Sequence, residues 1–405
     1  MSLRHSTAQV GTKYRGYSRN AICTGTLYCG HIEAQSYGFR LRRMSLLFSK
    51  TTKWNSYDFF ARQKMDSFRS SKLAVIEIAT KYKDLMKQLK KKPSDQSPDD
   101  LEKAEKLLFV EMCEICLWGN KTDLSLLTNF SHEDMQKLQG SKARRDAEAN
   151  ILVNDLGAAF DILRRAQRSN EAGERRVDIV LDNAGFELYV DLVLGGFLLS
   201  AGLATHIVLH PKSIPWFVSD VIPADFGALL NVLADPRSLF DTNDEDSGPD
   251  EKQERLSDDD VADLKFLYED WQTKYVEGQF IIRPNRFWTM GGGFWRLPTE
   301  APELLKDLQE SELVIFKGDL NYRKLTGDVM WDPSTLFSEA VGPLAKKGEG
   351  IRVLALRTAK ADVIVGLPHG KDEELRAKEG GGGDSGCRKW AWSGTWAVCQ
   401  FSDGL

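Results

Sequence analysis

The 405-residue chain has 42% hydrophobic and 28% charged residues, ordinary globular values that exclude a chain disordered along its whole length. Its 54 basic and 59 acidic residues give a formal net charge of −5, which offers no electrostatic reason to expect nucleic-acid binding. No apolar run approaches the roughly 20 residues that cross a bilayer, so we expect no membrane association. Six cysteines are too sparse for a disulfide scaffold and indicate a reducing, intracellular compartment.

The first 50 residues differ in composition from the rest of the chain. They contain eight Lys or Arg and one acid, Glu33, with many Ser, Thr and Gly. A mitochondrial transit peptide has such a composition, and so has a disordered tail or a mispredicted gene start. We favour the tail or the mispredicted start, because no clear amphipathic Arg helix is present. We therefore treat residues 1–40 as an unmatched basic tail, and a nuclear location also stays open.

Residues 41–170 are predicted to form a helical domain. Apolar residues recur at helical spacing in three segments, and a fourth segment is polar and favours short helices. The predicted long helices are Lys72–Lys92, Leu101–Trp118 and Glu148–Arg168, and the polar segment is Asn129–Ala147. Cys113 and Cys116 form a CxxC motif within the second helix. Because no second CxxC or His pair completes a zinc site, we interpret them as paired core thiols.

From residue 171 to 405 the pattern predicts an α/β domain. The run VDIVLD (177–182) is followed by a long apolar helix and then by HIVLH (206–210), an order typical of a parallel sheet covered by helices. The other predicted strands are Phe280–Arg283, Leu313–Lys317, Arg352–Leu356 and Val363–Leu367. Residues 241–260, with ten acids and two bases, indicate a surface loop, and Gly-rich 379–386 a flexible connector. We therefore expect an α/β domain with a mostly parallel sheet covered by helices.

Ligands of open parallel sheets gather at the carboxyl ends of the strands, so polar residues there are the candidates for chemistry. Asp182 and Asn183 follow the first predicted strand and offer oxygen donors suited to Mg²⁺ or Mn²⁺, with helix capping as the alternative. Asp220 lies beyond the second strand and is either a further ligand or an N-cap.

Two further strand ends carry polar groups. Leu313–Lys317 runs into Gly318, which allows a tight exit, and then into five candidate residues: Asp319, Leu320, Asn321, Tyr322 and Arg323. The Arg323 guanidinium matches phosphate geometry, and a polar turn with a surface ion pair is the alternative. Lys360 follows the Arg352–Leu356 run and is either a phosphoryl-binding cation or a surface lysine.

Together these positions provide hard oxygen ligands for one divalent ion and two or three cations, with no activated Ser or Cys motif. This set suits metal-assisted attack on a phosphate ester, in which the ion activates water and the cations offset the growing negative charge.

Four strings resemble the damage-control phosphatases of the acidic-residue-methyltransferase-like group. They are LDNAGFELYVDLVL, HPKSIPWFVSD, FKGDLNYRKL and LRTAKADVIVGL, in which RTAK (357–360) is similar to the signature of the group's third subfamily, the fungal and metazoan sugar-phosphate phosphatases. Upstream, YDFFARQK, LWGNKTDLSLL and NILVND also resemble the group. The similarity runs from about Leu41 to the C-terminus. Residues 1–40 lack the Phe-rich and Arg-Trp-Pro-like segment with which family members usually begin.

The resemblance implies a helical N-terminal part on a three-layer α/β/α domain that holds one divalent metal, Mn²⁺ or Ni²⁺, with Co²⁺ or Mg²⁺ as alternatives. It implies that Asp182, Asn183 and Asp220 are metal ligands. It places substrate contacts at Asp182, Asn183, Glu187, Asp319, Leu320, Asn321, Tyr322, Arg323 and Lys360. The implied catalytic residues among these are Asp182, Asp220, Arg323 and Lys360. The implied substrates are small phosphorylated metabolites such as fructose 1-phosphate and fructose 6-phosphate, with no obligatory protein partner.

The competing function is an S-adenosylmethionine-dependent methyltransferase acting on protein carboxylates, an activity assigned to the animal branch of the group. The residues do not favour it, because no Gly-rich loop follows the first strand of the α/β part, where such a cofactor is usually bound. A catalytically silent binding protein would lack a metal ligand or a cation, and all of these residues are present.

Overall fold

The computed structural model describes residues 26–90, 97–118, 149–169, 173–241, 255–385 and 387–405, with side chains of the first helix described from Gly38 onward. A seven-stranded sheet forms the centre, in the order β1-β7-β6-β5-β2-β3-β4. The strands are β1 (Ile151–Asn154), β2 (Arg176–Val180), β3 (His206–His210), β4 (Phe280–Ile282), β5 (Leu313–Lys317), β6 (Arg352–Thr358) and β7 (Ala397–Asp403). All neighbours are parallel except β6 and β7. The predicted mostly parallel α/β sheet is confirmed.

Helices cover this sheet. They are α1 (Thr26–Ser49), α2 (Ala61–Ser70), α3 (Lys72–Lys90), α4 (Pro98–Trp118), α5 (Leu156–Ser169), α6 (Phe186–Ser200), α7 (Pro223–Ala234), α8 (Arg237–Phe240), α9 (Asp258–Val276), α10 (Leu297–Glu300), α11 (Pro302–Leu308), α12 (Gly318–Leu325), α13 (Phe337–Val341) and α14 (Lys371–Ala377). Short 3₁₀ helices span Arg286–Thr289, Phe294–Arg296, Gly342–Ala345, Gly383–Ser385 and Lys389–Trp392. Among the described residues, no helix is long and apolar enough to cross a membrane.

Two hydrophobic cores lie on opposite faces of the sheet, because successive strand residues point to opposite sides. In the wholly buried strand β5, Ile315 joins the core formed with α2–α9, whereas Val314 and Phe316 join the core formed with α10–α14. Parallel strands buried on both faces read as continuous apolar runs, which is why β5 and β3 match their predicted bounds. The three-layer architecture is therefore confirmed.

Two predictions about the sheet were wrong. Val363–Leu367 was expected to be a strand, but it runs without strand pairing inside the second core, because β7 already pairs with the free edge of β6. Residues 148–168 were expected to be one helix, yet they begin with β1, which pairs with β7. The Asn154 side chain accepts a hydrogen bond from the Leu156 backbone N–H (3.2 Å), at the change from strand to helix.

The N-terminal helices α2–α4 share their core with α6 and α9. The proposed domain boundary at residue 170 stays a prediction, although β1 and α5 lie before it and belong to the sheet and its covering layer. Helix α1 begins at Thr26, within the segment interpreted as a tail, while residues 1–25, the predicted helices of 129–147 and most of the acidic loop lie outside the described residues. Cys113 and Cys116 are buried free thiols, as predicted, and Cys387 is disulfide-bonded.

Candidate functional site

A cleft of about 820 Å³ opens at the carboxyl ends of β2, β5 and β6. One wall comes from α2 and the end of α4, and the other from the loops that follow the strands. The residues that carry chemistry along it are Gln63, Lys64, Ser67, Asp182, Asn183, Glu187, Ser219, Lys317, Gly318, Thr358 and Lys360. Trp118 and Trp392 line it as well. The cleft lies where ligands gather in open parallel sheets.

The loop between β2 and α6 supplies the first two candidate ligands. Gly185 precedes the first residue of α6 and no side chain caps that helix, so neither Asp182 nor Asn183 serves as its N-cap. The Asn183 amide nitrogen donates to Glu187 Oε1 (2.8 Å), and its oxygen accepts a hydrogen bond from the Ser219 hydroxyl (2.6 Å). These bonds orient the amide oxygen of Asn183 at the floor of the cleft.

Asp220 is brought beside this loop from the connection after β3. A single bridge joins Asn183 and Asp220, and the Val221 N–H donates to the Asp182 carbonyl (2.8 Å). The N-cap of α7 is Ile222, so Asp220 does not have the capping role that was its alternative. Asp220 is 2% exposed and Asp182 is 8% exposed, so both carboxylates are buried.

The positive charge near the carboxylates of Asp182 and Asp220 does not offset the effect of their burial. Burial raises the pKa of Asp182 well above its usual range, and the carboxylates of Asp220 and Glu187 raise it further. Burial also raises the pKa of Asp220 to about 6, although Lys212 opposes that shift. Asp220 Oδ2 lies 3.4 Å from Lys212 Nζ, and among the described residues it accepts no hydrogen bond. A bound cation at this point would stabilise both ionised carboxylates.

The donor set fits a hard divalent cation, with one particularity. Among the described residues, no group of three or more His, Cys, Asp or Glu side chains has the arrangement of a metal site. A cation here would therefore rely on the Asn183 amide oxygen beside the carboxylates of Asp182 and Asp220. Oxygen donors of this kind suit Mg²⁺ and Mn²⁺.

Three lysines line the cleft in different states. Lys64 pairs with Asp58 (2.9 Å) and Asp225 (2.7 Å), and Lys317 pairs with Asp191 and donates to the Cys116 carbonyl. The sequence did not indicate Lys64 and Lys317 as site residues, because only the fold brings α2 and the carboxyl end of β5 to one cleft.

Lys360 is exposed, and among the described residues its ammonium makes no ion pair. It is near enough to Asp182 to lower the pKa of that carboxyl. Lys360 is therefore the cleft lysine available to an anionic ligand.

The candidates of α12 do not line the cleft. Asp319 accepts hydrogen bonds from Arg357 Nε (2.8 Å) and from the Lys360 backbone N–H (3.0 Å), so it positions the segment that carries Lys360. Asn321 is buried and donates to the Lys317 carbonyl (2.8 Å) and to that of Leu181. Asp319 and Asn321 therefore lie outside the cleft lining and stabilise the backbone segments that form it.

The next residues of α12 are likewise engaged elsewhere. The Tyr322 hydroxyl donates to Gln400 (2.8 Å). Arg323 forms a two-bond pair with Asp328, at 2.7 and 2.9 Å. Leu320 is half-buried and also lies outside the cleft lining.

Lys212 is a further residue that sequence reasoning missed. It is 1% exposed, and its ammonium donates to the Leu181 carbonyl (2.7 Å) and to Asn321 Oδ1 (3.4 Å) while it pairs with Asp220. It thus links the end of β2, the Asp220 loop and α12. A lysine two residues after a strand gives no signal of such a role in the sequence.

A family model and the similar named proteins indicate the same family for this chain. The model of the "Damage-control phosphatase ARMT1-like domain" matches residues 32–375. Proteins named "Damage-control phosphatase ARMT1" are similar over most of the chain. That of Xenopus laevis is 34% identical over 353 residues (86% of this chain, 69% of the relative), and that of Homo sapiens is 31% identical over 350 residues (86% and 69%).

A solved structure of a DUF89 family protein from Pyrococcus horikoshii also matches. It is 14% identical, the match covers 94% of this chain and 97% of that one, and the TM-score is 0.36.

Proposed function

Because the chain belongs to the damage-control phosphatase ARMT1-like family, we propose that this phosphatase is metal-dependent and hydrolyses sugar phosphates such as fructose 1-phosphate and fructose 6-phosphate. One observation carries the proposal: Asp182 and Asn183 share a cleft with the ammonium of Lys360, which makes no ion pair among the described residues, and the buried Asp220 is bridged to Asn183 beside that cleft. Asp182, Asn183 and Asp220 would hold a metal beside this cleft, and Lys360 would supply a cation to a phosphoryl group bound in it.

Asp182, Asn183 and Asp220 would hold the ion, with Mn²⁺ or Ni²⁺ as our first choices and Co²⁺ or Mg²⁺ as alternatives. When bound, a divalent ion supplies Lewis-acid polarisation of a phosphoryl oxygen and lowers the pKa of coordinated water. Glu187 would orient the ligand amide, since it accepts the amide hydrogen bond of Asn183.

The remaining cleft residues would bind and orient the substrate. Lys360 binds the phosphoryl oxygens. Asp319 positions Lys360 by accepting a hydrogen bond from the Lys360 backbone N–H. The paired lysines Lys64 and Lys317 add fixed positive charge where negative charge grows on the phosphoryl group. The Gln63 amide and the Ser67 hydroxyl offer hydrogen bonds to sugar hydroxyls. We assign no direct substrate contact to Arg323, because its Nε and Nη2 atoms both donate to the Asp328 carboxylate and it does not line the cleft.

The test is inorganic phosphate release from fructose 1-phosphate by metal-stripped protein, with and without Mn²⁺. We expect release only with metal and its loss in Asp220→Asn, which keeps the size of the side chain and removes its charge. Asp259→Asn is the matched control, since Asp259 is an exposed residue of α9. Release without metal, or from Asp220→Asn at a near-normal rate, would contradict the ligand assignment.

A folded protein that binds Mn²⁺ and releases no phosphate from any sugar phosphate would contradict the substrate class. Methyl transfer from S-adenosylmethionine to protein carboxylates by such a protein would then favour the methyltransferase alternative. The expected substrate is a small metabolite in a cytoplasmic setting, and the proposal requires no protein partner.

A further inference from the structure

The loop that carries Asp220 is strained. Phe217 and Val218 have φ angles of +41° and +71°. This pair directly precedes Ser219 and Asp220 in the chain. A bulky or β-branched residue in this region is a genuine outlier, and it persists only where the surrounding structure holds it there. Something must therefore hold this turn.

Hydrogen bonds tie the turn to Trp216 and to the β2–α6 loop. The Asp220 N–H donates to the Trp216 carbonyl (3.2 Å), and the Ser219 N–H donates to the Phe217 carbonyl (2.9 Å). The Ala184 N–H in turn donates to the Ser219 carbonyl (2.7 Å). Trp216 is thus an upstream anchor of the turn, and a shift of Trp216 would be passed to Asp220 through this hydrogen bond.

Helix α1 holds Trp216 from outside the α/β part. The Trp216 ring lies so close to Gly38 that a β-carbon there would be 2.8 Å from the ring, and Trp216 is 5% exposed. The Arg42 guanidinium lies 5.4 Å from the centre of that ring and donates to the Thr289 carbonyl. Arg42 therefore joins α1 and the 3₁₀ helix Arg286–Thr289 across one face of Trp216.

We propose that Arg42 is a positioning residue for the metal site: it clamps Trp216, and through Trp216 it holds the strained turn that presents Asp220. The inference rests on the proposed function in that Asp220 is taken as a metal ligand. Arg42 is not among the described residues that line the cleft, so it would act on Asp220 through Trp216. Its side chain is largely exposed, so its removal leaves both cores intact.

The experiment measures Mn²⁺ affinity of metal-free protein by electron paramagnetic resonance of the free ion. Loss of a residue that orients a metal ligand typically weakens binding about 10-fold or more, and we expect this of Arg42→Ala. Arg42→Lys should retain most of the affinity, because a lysine can still lie over Trp216 and donate to Thr289. Arg43→Ala is the matched control, since that neighbouring arginine lies over Phe39 and not over Trp216.

A rescue separates positioning from general stability. Val218→Gly removes the strain at residue 218, because glycine adopts φ of +71° without steric cost. In the Val218→Gly background, Arg42→Ala should therefore weaken Mn²⁺ binding less than in the wild type. Equal affinities of wild type and Arg42→Ala, or the same loss in both backgrounds, would overturn the inference alone. A folded wild type that binds no Mn²⁺ would overturn the proposed function, and this inference with it.

Discussion

The carboxylate of Asp182 occupies the space that a side chain on residue 318 would need. A β-carbon on Gly318 would lie 1.9 Å from Asp182 Oδ2, and the φ of Gly318 is +84°. Glycine at the exit of β5 therefore lets the backbone of α12 close directly on a proposed metal ligand, so that the adjacent ends of β2 and β5 form one cleft floor.

Gly318→Ala should displace the Asp182 carboxylate and reduce kcat/KM about a hundredfold, since small misplacements of reacting groups cost that much. Gly370→Ala is the matched control, because Gly370 has φ of +81° but open space around its missing side chain. Steady-state kinetics and Mn²⁺ titration of both variants check this. Equal effects would mean that the backbone conformation, rather than the contact with Asp182, requires glycine.

Lys360→Ala should raise KM for a sugar phosphate about tenfold or more, because a charge-assisted hydrogen bond is worth roughly 1.5–3 kcal/mol. Its unpaired ammonium contributes little to stability, so the melting temperature should hardly change. Lys347→Ala, at an exposed position outside the cleft, is the control. An unchanged KM in Lys360→Ala would remove this residue from the site.

Arg323→Ala should lower stability and leave KM nearly unchanged, since the Nε and Nη2 atoms of its guanidinium both donate to Asp328. Asp328→Asn is the partner variant, because asparagine tolerates the φ of +54° found there. A double-mutant cycle in urea should give a coupling energy of about 1 kcal/mol for this partly exposed pair. A raised KM in Arg323→Ala but not in Asp328→Asn would instead return Arg323 to the substrate site.

Lys324 should make stability depend on pH. Burial, together with the positive charges of Lys212 and Arg42, lowers the pKa of this lysine from 10.5 to about 7, although Asp220 opposes the shift. The Lys324 nitrogen donates to the carbonyls of Trp288 (3.1 Å) and Met290 (2.9 Å). Between about pH 7 and 10.5 the unfolded chain binds a proton that the folded chain does not. This group therefore makes the free energy of unfolding rise with pH there, by up to about 1.4 kcal/mol per pH unit.

Lys324→Met removes that slope, whatever its constant cost in lost hydrogen bonds. Urea unfolding of wild type and Lys324→Met at pH 7.0, 8.0 and 9.0 measures the difference. We expect the stability of wild type relative to the variant to increase across this series. Parallel pH profiles for the two proteins would show that Lys324 stays protonated in the fold.

The strands that were predicted well are those whose residues are buried on both faces. Such burial demands continuous apolar runs, and these are visible in Leu313–Lys317 without any partner. Val363–Leu367 is similarly apolar but forms no strand, because β7 pairs with the edge of β6 that would otherwise be free. Pairing depends on what lies alongside, and composition does not record it.

Some features of the candidate site also follow from the sequence, and others depend on the tertiary structure. The residue types that can hold a metal, and their places at strand ends, follow from the sequence, because chain order determines which residues leave a strand at its carboxyl end. Which of those residues reach the cleft was decided only by tertiary structure. Arg323 meets Asp328, whereas Lys64, Lys212 and Lys317 arrive beside the proposed ligands from separate elements. A side chain's partner is set by distances across the fold, and residues far apart in the chain carry no mark of that proximity.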